Sequence, residues 1–259
     1  MVAAVALASA GCRTQSLPER GRFVEDGVAV EALGDWQGEP IVVDNTGVLP
    51  TGGLSIAAED GRARISAIAR LLALRDTLDK PGADDAIVKA KKTFLITSSL
   101  LDPKTTSVVC GAVNLTSGND SGKPEDDAGC DALDVSVPPG TPERPLRMTA
   151  RSGNGKVGVS LGAAVLAAFD LTASRGPIDV AVPSTPGAAI TIVAATGDDV
   201  VLRLPRDFAA DAVTLETGGA VDTLAFPDVQ SGRGRGVPGA GAKSITVRTA
   251  TGRIVLLAQ

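Results

Sequence analysis

From Leu146 onward the chain alternates apolar and polar residues in short runs, each pair of runs joined by a polar turn with glycine. Five segments follow this plan: LRMTARSGNGKVGVSL from Leu146, FDLTASRGPIDVAV from Phe169, ITIVAATGDDVVLRL from Ile190, VTLETGGAVDTLAF from Val213 and ITVRTATGRIVLLA from Ile245. Alternation at period two predicts half-buried strands, so each segment reads as strand, turn, strand. The turn glycines are Gly155, Gly176, Gly197, Gly219 and Gly252. The first four recur every 21 or 22 residues, a period that belongs to stacked repeats. The last interval is longer only by the glycine-rich insertion Ser231 to Gly241, and without that insertion it keeps the same beat. Glycine in such a turn is expected to take a positive φ at no steric cost.

Proline keeps time with glycine. It follows a strand end at Pro138, Pro183, Pro205 and Pro227, with Gly162 in the slot between the first two. Proline lacks an amide donor and cannot continue a ladder, so its recurrence marks a repeated corner. Alternation puts Ile178, Val180 and Val182, and likewise Val200, Leu202 and Leu204, on one face, with Asp179, Ala181, Val201 and Arg203 on the other. Ile190, Ile192, Ala194, Ile245, Val247 and Thr249 follow the inward pattern, while Thr191, Thr214, Glu216, Thr246 and Arg248 form a polar outer ladder. A buried Val, Ile or Leu contributes about 1.5 to 3 kcal/mol, so no single layer stands alone and neighbours must stack. The fold class expected is all-β, a β-solenoid or stacked β-repeat with layers of roughly 22 residues.

The repeats resemble the bacterial putative adhesin family, domain of unknown function 4097. The matching stretches are Thr217 Gly218 Gly219 Ala220 Val221, Thr249 Ala250 Thr251 Gly252 Arg253 Ile254, and Leu204 Pro205 Arg206 Asp207 Phe208, within about Asp134 to Leu257. This resemblance implies a solenoid or propeller-like stack, a cell-envelope location and adhesion, and it brings no catalytic residues.

Residues 13–133 predict a β-rich region, and residues 134–259 the repeat domain. Strands are expected at Val28 to Leu33, Pro40 to Val43, Gly53 to Ala57, Ala63 to Ile68, Phe94 to Thr97 and Thr106 to Val109. Asp60 and Gly61 signal a hairpin turn between the third and fourth of these. Asp84 and Asp85 followed by AIVKAKKTF predict one short helix near residues 84–93, with acids in its first turn and lysines near its end. Trp36 reads as a core or cap anchor.

Composition sharpens the picture. Aromatic residues are 2 % against 44 % hydrophobic, so the interior must be filled by small branched side chains, which suits thin layers of strand. A net charge of -5, without a cluster of Lys and Arg, argues against nucleic acid. The tract Gly232 Arg233 Gly234 Arg235 Gly236 reads as an insertion loop, since no aromatic side chain accompanies it.

Residues 1–12, MVAAVALASAGC, form an apolar run ending in small residues and cysteine, too short to span a bilayer. The run resembles a bacterial lipoprotein signal, fitting at Ala10, Gly11 and Cys12 and departing at Ser9 and in lacking an early Lys or Arg. Lipidation of Cys12 is the expectation, with ordinary signal-peptidase cleavage and an unprocessed tail as the alternatives. Intact mass of the envelope-extracted protein decides among them: an unmodified Cys12 with Met1 retained refutes export. Cys110 and Cys130 remain, and an even pair in an exported chain is read as a disulfide worth roughly 3 kcal/mol by loop entropy. No histidine is present, so a zinc site would need carboxylates, and no metal or other cofactor is expected.

Without histidine or tyrosine, Ser-His catalysis is excluded, while carboxylate chemistry stays open. Asp198 and Asp199 are adjacent, and neighbouring strand residues face opposite ways, so they read as turn residues. Gly153 Asn154 Gly155 Lys156 Val157 Gly158 spells the dinucleotide-binding glycine pattern, but an alternating strand follows it where a helix is required. The function expected is a non-catalytic, adhesin-like envelope module. Its partner would be a wall polymer, glycan or protein, and it would touch the membrane only through a lipid anchor. Two alternatives stay open: a polysaccharide-active enzyme using carboxylates, and an envelope-stress sensor binding a protein.

Overall fold

The computed structural model describes the backbone of residues 21–46, 53–75, 94–98, 104–110, 127–184, 187–227, 229 and 244–259, and the side chains of all of these but 21–35, 71–75, 94–98 and 127–131. Every regular element among the described residues is a strand. In the first half these are β1 (Gly21–Asp35), β2 (Ile41–Asn45), β3 (Gly53–Ala58), β4 (Arg64–Arg75), β5 (Phe94–Ser98), β6 (Thr106–Cys110) and β7 (Asp127–Val137). The second half supplies β8 (Leu146–Ser152), β9 (Val157–Ser160), β10 (Leu166–Ala173), β11 (Ile178–Ala181), β12 (Ala189–Ala194), β13 (Val200–Leu204), β14 (Val213–Glu216), β15 (Val221–Asp222), β16 (Ser244–Thr249) and β17 (Ile254–Ala258). The expected helix near 84–93 lies outside the described residues.

The strands form two sheets, ordered β1-β4-β7-β3-β9-β11-β13-β17-β15 and β14-β16-β12-β10-β8-β2-β6-β5. Each of the five segments puts its first strand in the eight-stranded sheet and its second in the nine-stranded one. Pairing from β8 to β17 is parallel throughout. Register carries equivalent positions onto one another: Met148, Phe169, Ile190, Ile245 and Val213 form one row. Val157, Ile178, Val200, Ile254 and Val221 form another. A one-residue slip would turn every apolar side chain outward, so the single buried face fixes this register. The core lies between the sheets, where Phe169, Ile178, Val180, Leu202, Val247 and Leu256 are all but inaccessible. Trp36 packs partly buried against this core and donates from Nε1 to the Glu39 carbonyl at 2.8 Å.

Two features depart from the sequence reading. The turn at Asp60 and Gly61 is present, with Gly61 at φ 73°, but the strands it joins do not pair. β7 lies between them, parallel to β3 and antiparallel to β4. A turn signal reports only local backbone direction, and here the chain leaves room for a strand arriving later. The second departure concerns layer order. The Ile245 segment stacks directly on the Ile190 segment, and the Val213 segment is displaced outward onto it. Strand length supplies the reason. β16 matches six positions of β12 and β17 five of β13, whereas β14 offers four positions and β15 only two. The full-length pair fills the interior slot, and the shortest strands become the sheet edges, where short strands expose the fewest unpaired backbone groups.

Near the other end, β2 and β3 sit between β6/β7 and β8/β9. Both sheets therefore run without a break across residues 133 and 134.

Candidate functional site

Outward side chains form straight rows across each sheet. On the eight-stranded sheet Thr149, Asp170, Thr191, Thr246 and Thr214 are in register. On the nine-stranded sheet the row reads Asp134, Ser55, Gly158, Asp179 and Val201. Its small residues Ser55 and Gly158 leave a hollow between Asp134 and Asp179. The result is a depression of about 270 Å³ lined by Gly53, Leu54, Ser55, Ala132, Asp134, Lys156 and Gly158.

The floor is positioned by the sheet. Leu54 points inward and is 2 % exposed, so Ser55 must face the opposite way. Gly53 lies opposite Ala132, and the Leu54 amide donates to the Lys156 carbonyl at 3.0 Å, which sets Lys156 beside Gly53. A Cβ on Gly158 would meet nothing, so glycine here keeps space open and is not required by strain. Asp134 and Lys156 are exposed at opposite corners, and neither makes an ion pair or side-chain hydrogen bond with a described residue. Some outward charges on the two sheets find partners, while the exposed Arg147, Arg151 and Asp170 have none among the described residues. Arg203 forks onto both oxygens of Asp179 at 2.9 and 3.0 Å, and Arg248 reaches Glu216 at 2.8 Å. The depression is thus an apolar, hydroxyl-bearing floor with an anion and a cation at its margins, each unpaired among the described residues.

Beside it, the glycine turns stack into a second ordered feature. The Arg175 amide donates to the Gly153 carbonyl at 3.0 Å, and the Gly176 amide to Asp198 Oδ2 at 2.8 Å. Thr196 Oγ1 donates to the same oxygen at 2.5 Å. Thr249 Oγ1 is within 3.1 and 3.0 Å of the Thr196 and Asp198 carbonyls, and Thr217 Oγ1 donates to the Gly252 carbonyl at 2.5 Å. Gly155 and Gly176 take φ of 93° and 110° as expected. Gly197, Gly219 and Gly252 do not; Gly219 and Gly252 are needed for clearance from backbone, and Gly197 lies against a side chain. A Cβ on Gly252 would collide with the Asp198 backbone, one on Gly219 with the Thr251 and Gly252 carbonyls, and one on Gly197 with the Thr251 side chain.

Asp198 and Asp199 are turn residues in this ladder. The Thr196 hydroxyl, then the Gly176 amide, hold the Asp198 carboxyl below the usual aspartate range. A depressed folded pKa stabilises the protein above the unfolded pKa, and this contribution fades as pH falls through the folded one. Asp198→Ala is expected to cost about 1 kcal/mol at neutral pH, discounted for partial exposure. Denaturant titrations of the two proteins should converge under strongly acidic conditions. A gap that persists there would show that the carboxylate charge is not what holds the turn.

The other residues singled out from the sequence are placed as follows. Cys12 lies outside the described residues. Cys110 is buried at the end of β6 and disulfide-bonded; the Cys130 side chain lies outside the described residues, so their pairing stays an expectation. Gly153 to Gly158 leads into strand β9, the wrong context for a dinucleotide. Among the described residues no group of three or more Cys, Asp or Glu could hold a metal. The depression has no counterpart in the sequence reading. Its residues come from β3, β7 and β9 and the turn before β9, which only the non-sequential strand order brings together.

No family model matches the chain, and no curated protein matches it. Among solved structures it is similar to a putative cell adhesion protein from Clostridium sporogenes, at 14 % identity and a TM-score of 0.59, covering 93 % of this chain and 100 % of that one. At that identity the likeness concerns the fold: an all-β chain of two sheets.

Proposed function

We propose that this protein is a non-catalytic, adhesin-like binding module of the bacterial cell envelope, and that its two sheets are the flanks of a flattened β-solenoid with one glycine turn per layer. The observation that carries the reading is the pair of long, regular outer faces. Rows of hydroxyl and charged side chains repeat from strand to strand, about 4.8 Å apart, which suits contact with an extended partner. The fold shared with a putative cell adhesion protein supports it. Lipidation at Cys12 would tether the module to a membrane with these faces free. An envelope polymer, a surface glycan or a protein remain the partner classes, and no cofactor is invoked.

Beads coated with the purified chain provide the test. They are expected to be retained on bacterial or host cell surfaces above beads coated with a heat-unfolded control, and retention should fall in high salt because exposed charges are screened. Equal retention of folded and unfolded coats would overturn the proposal. So would turnover of a polysaccharide that disappears on changing one carboxylate.

A further inference from the structure

We infer that the depression across β7, β3 and β9 binds an extended peptide carrying a free ammonium and a free carboxylate, with the ammonium at Asp134 and the carboxylate at Lys156. This deepens the binding-module reading and rests on it. Three observations carry the inference: the depression itself, the two charges at its corners that no described residue answers, and the apolar surface beside them.

Geometry selects the ligand's length. Asp134 and Lys156 are two strands apart across the sheet and two residues apart along it. With a strand spacing of about 4.8 Å and a rise of about 3.3 Å, their Cα atoms lie roughly 12 Å apart on the diagonal. Both side chains line the hollow. An extended tripeptide spans roughly 10 Å, while one amino acid spans about a third of that. A tripeptide therefore satisfies both corners at once, and a single zwitterion satisfies one.

The floor is compatible with a backbone lying flat. Gly53, Ala132 and Gly158 put no bulk in its path, and the exposed Ser55 hydroxyl can donate to or accept from a passing peptide group. Ile68, 50 % exposed, stands beside Asp134 in register on β4 and offers an apolar wall for a ligand methyl group. A ligand carrying only one sign of charge would leave one corner unanswered, so selectivity follows from the diagonal.

The probe is trialanine, titrated into the full chain and followed by NMR shifts of the residues lining the hollow. Trialanine is expected to bind at least about threefold more tightly than alanine or than N-acetylated, C-amidated trialanine, the size that exposed ion pairs supply. Asp134→Asn and Lys156→Met should each weaken binding about threefold without lowering the melting temperature, since both side chains are exposed. N-acetyl trialanine should be indifferent to Asp134→Asn yet still sense Lys156→Met. If the blocked and free peptides bind alike, or if neither substitution alters binding, the assignment is overturned. Should the coated beads still be retained when trialanine fails, this site falls and the binding-module reading stands; if both fail, both are wrong.

Discussion

A chain ending at residue 243 is expected to lose two layers, not one. β16 and β17 occupy an interior slot, and among the described residues β14 and β15 pair with them alone. Deleting 244–259 removes the buried Ile245, Val247, Ile254 and Leu256 and strands Val213 and Leu215 without a neighbour. Four such side chains at about 1.5 to 3 kcal/mol each sum to roughly the whole stability of an ordinary domain. The truncated protein should lose its cooperative transition by circular dichroism. Excising 213–236 instead removes more of the chain but leaves β16 and β17 able to dock on β12 and β13 through the shortened connection. That variant is expected to fold, with lower stability. Retained cooperativity after deletion of 244–259, with amide protection of 213–222 unchanged, would contradict the layer order.

The second large effect is expected at Gly176. Substitution by alanine puts a Cβ at φ 110° and drives it into the Gly155 backbone, which cannot rotate away as a side chain would. Strained φ alone costs about 1 to 3 kcal/mol, and the backbone collision adds to it, so a loss of roughly 3 kcal/mol or more is expected. Gly61→Ala is the control. Gly61 also has positive φ, 73°, but open space around it, so about 1 kcal/mol is expected. Urea denaturation of the two variants measures the difference, and equal losses would show that the turns do not crowd one another.

Much of the fold is legible because alternation is a local property. Period two places Ile178, Val180, Val200, Leu202, Ile245 and Val247 inward, and all are buried. It places threonines 191, 214 and 246 outward, and they stand in one row. Pairing order is not legible, because any of the apolar strands can lie beside any other and length decides which pair fills a slot. Nothing around Asp60 and Gly61 signals that β7, arriving much later in the chain, separates β3 from β4. Gly197 and Gly252 mislead for a related reason. Their need for glycine comes from the adjacent layer, and a turn considered alone suggests only φ. The depression depends on the same unreadable neighbours, so Ser55, Asp134 and Lys156 carry no signal in sequence that singles them out together.

Because among the described residues β14 and β15 find their partners only in strands that come later in the chain, these sheets cannot be completed in the order in which they are made. A polypeptide emerging from a ribosome, or threading through a translocation pore amino end first, presents residues 213–222 before their partners in the finished sheets exist. That stretch takes its final place only once 244–258 has arrived and seated itself. Closure is then a final, long-range event, slow by the entropy of the loop it must draw in, and chaperones that shield nascent strands would find their task concentrated there.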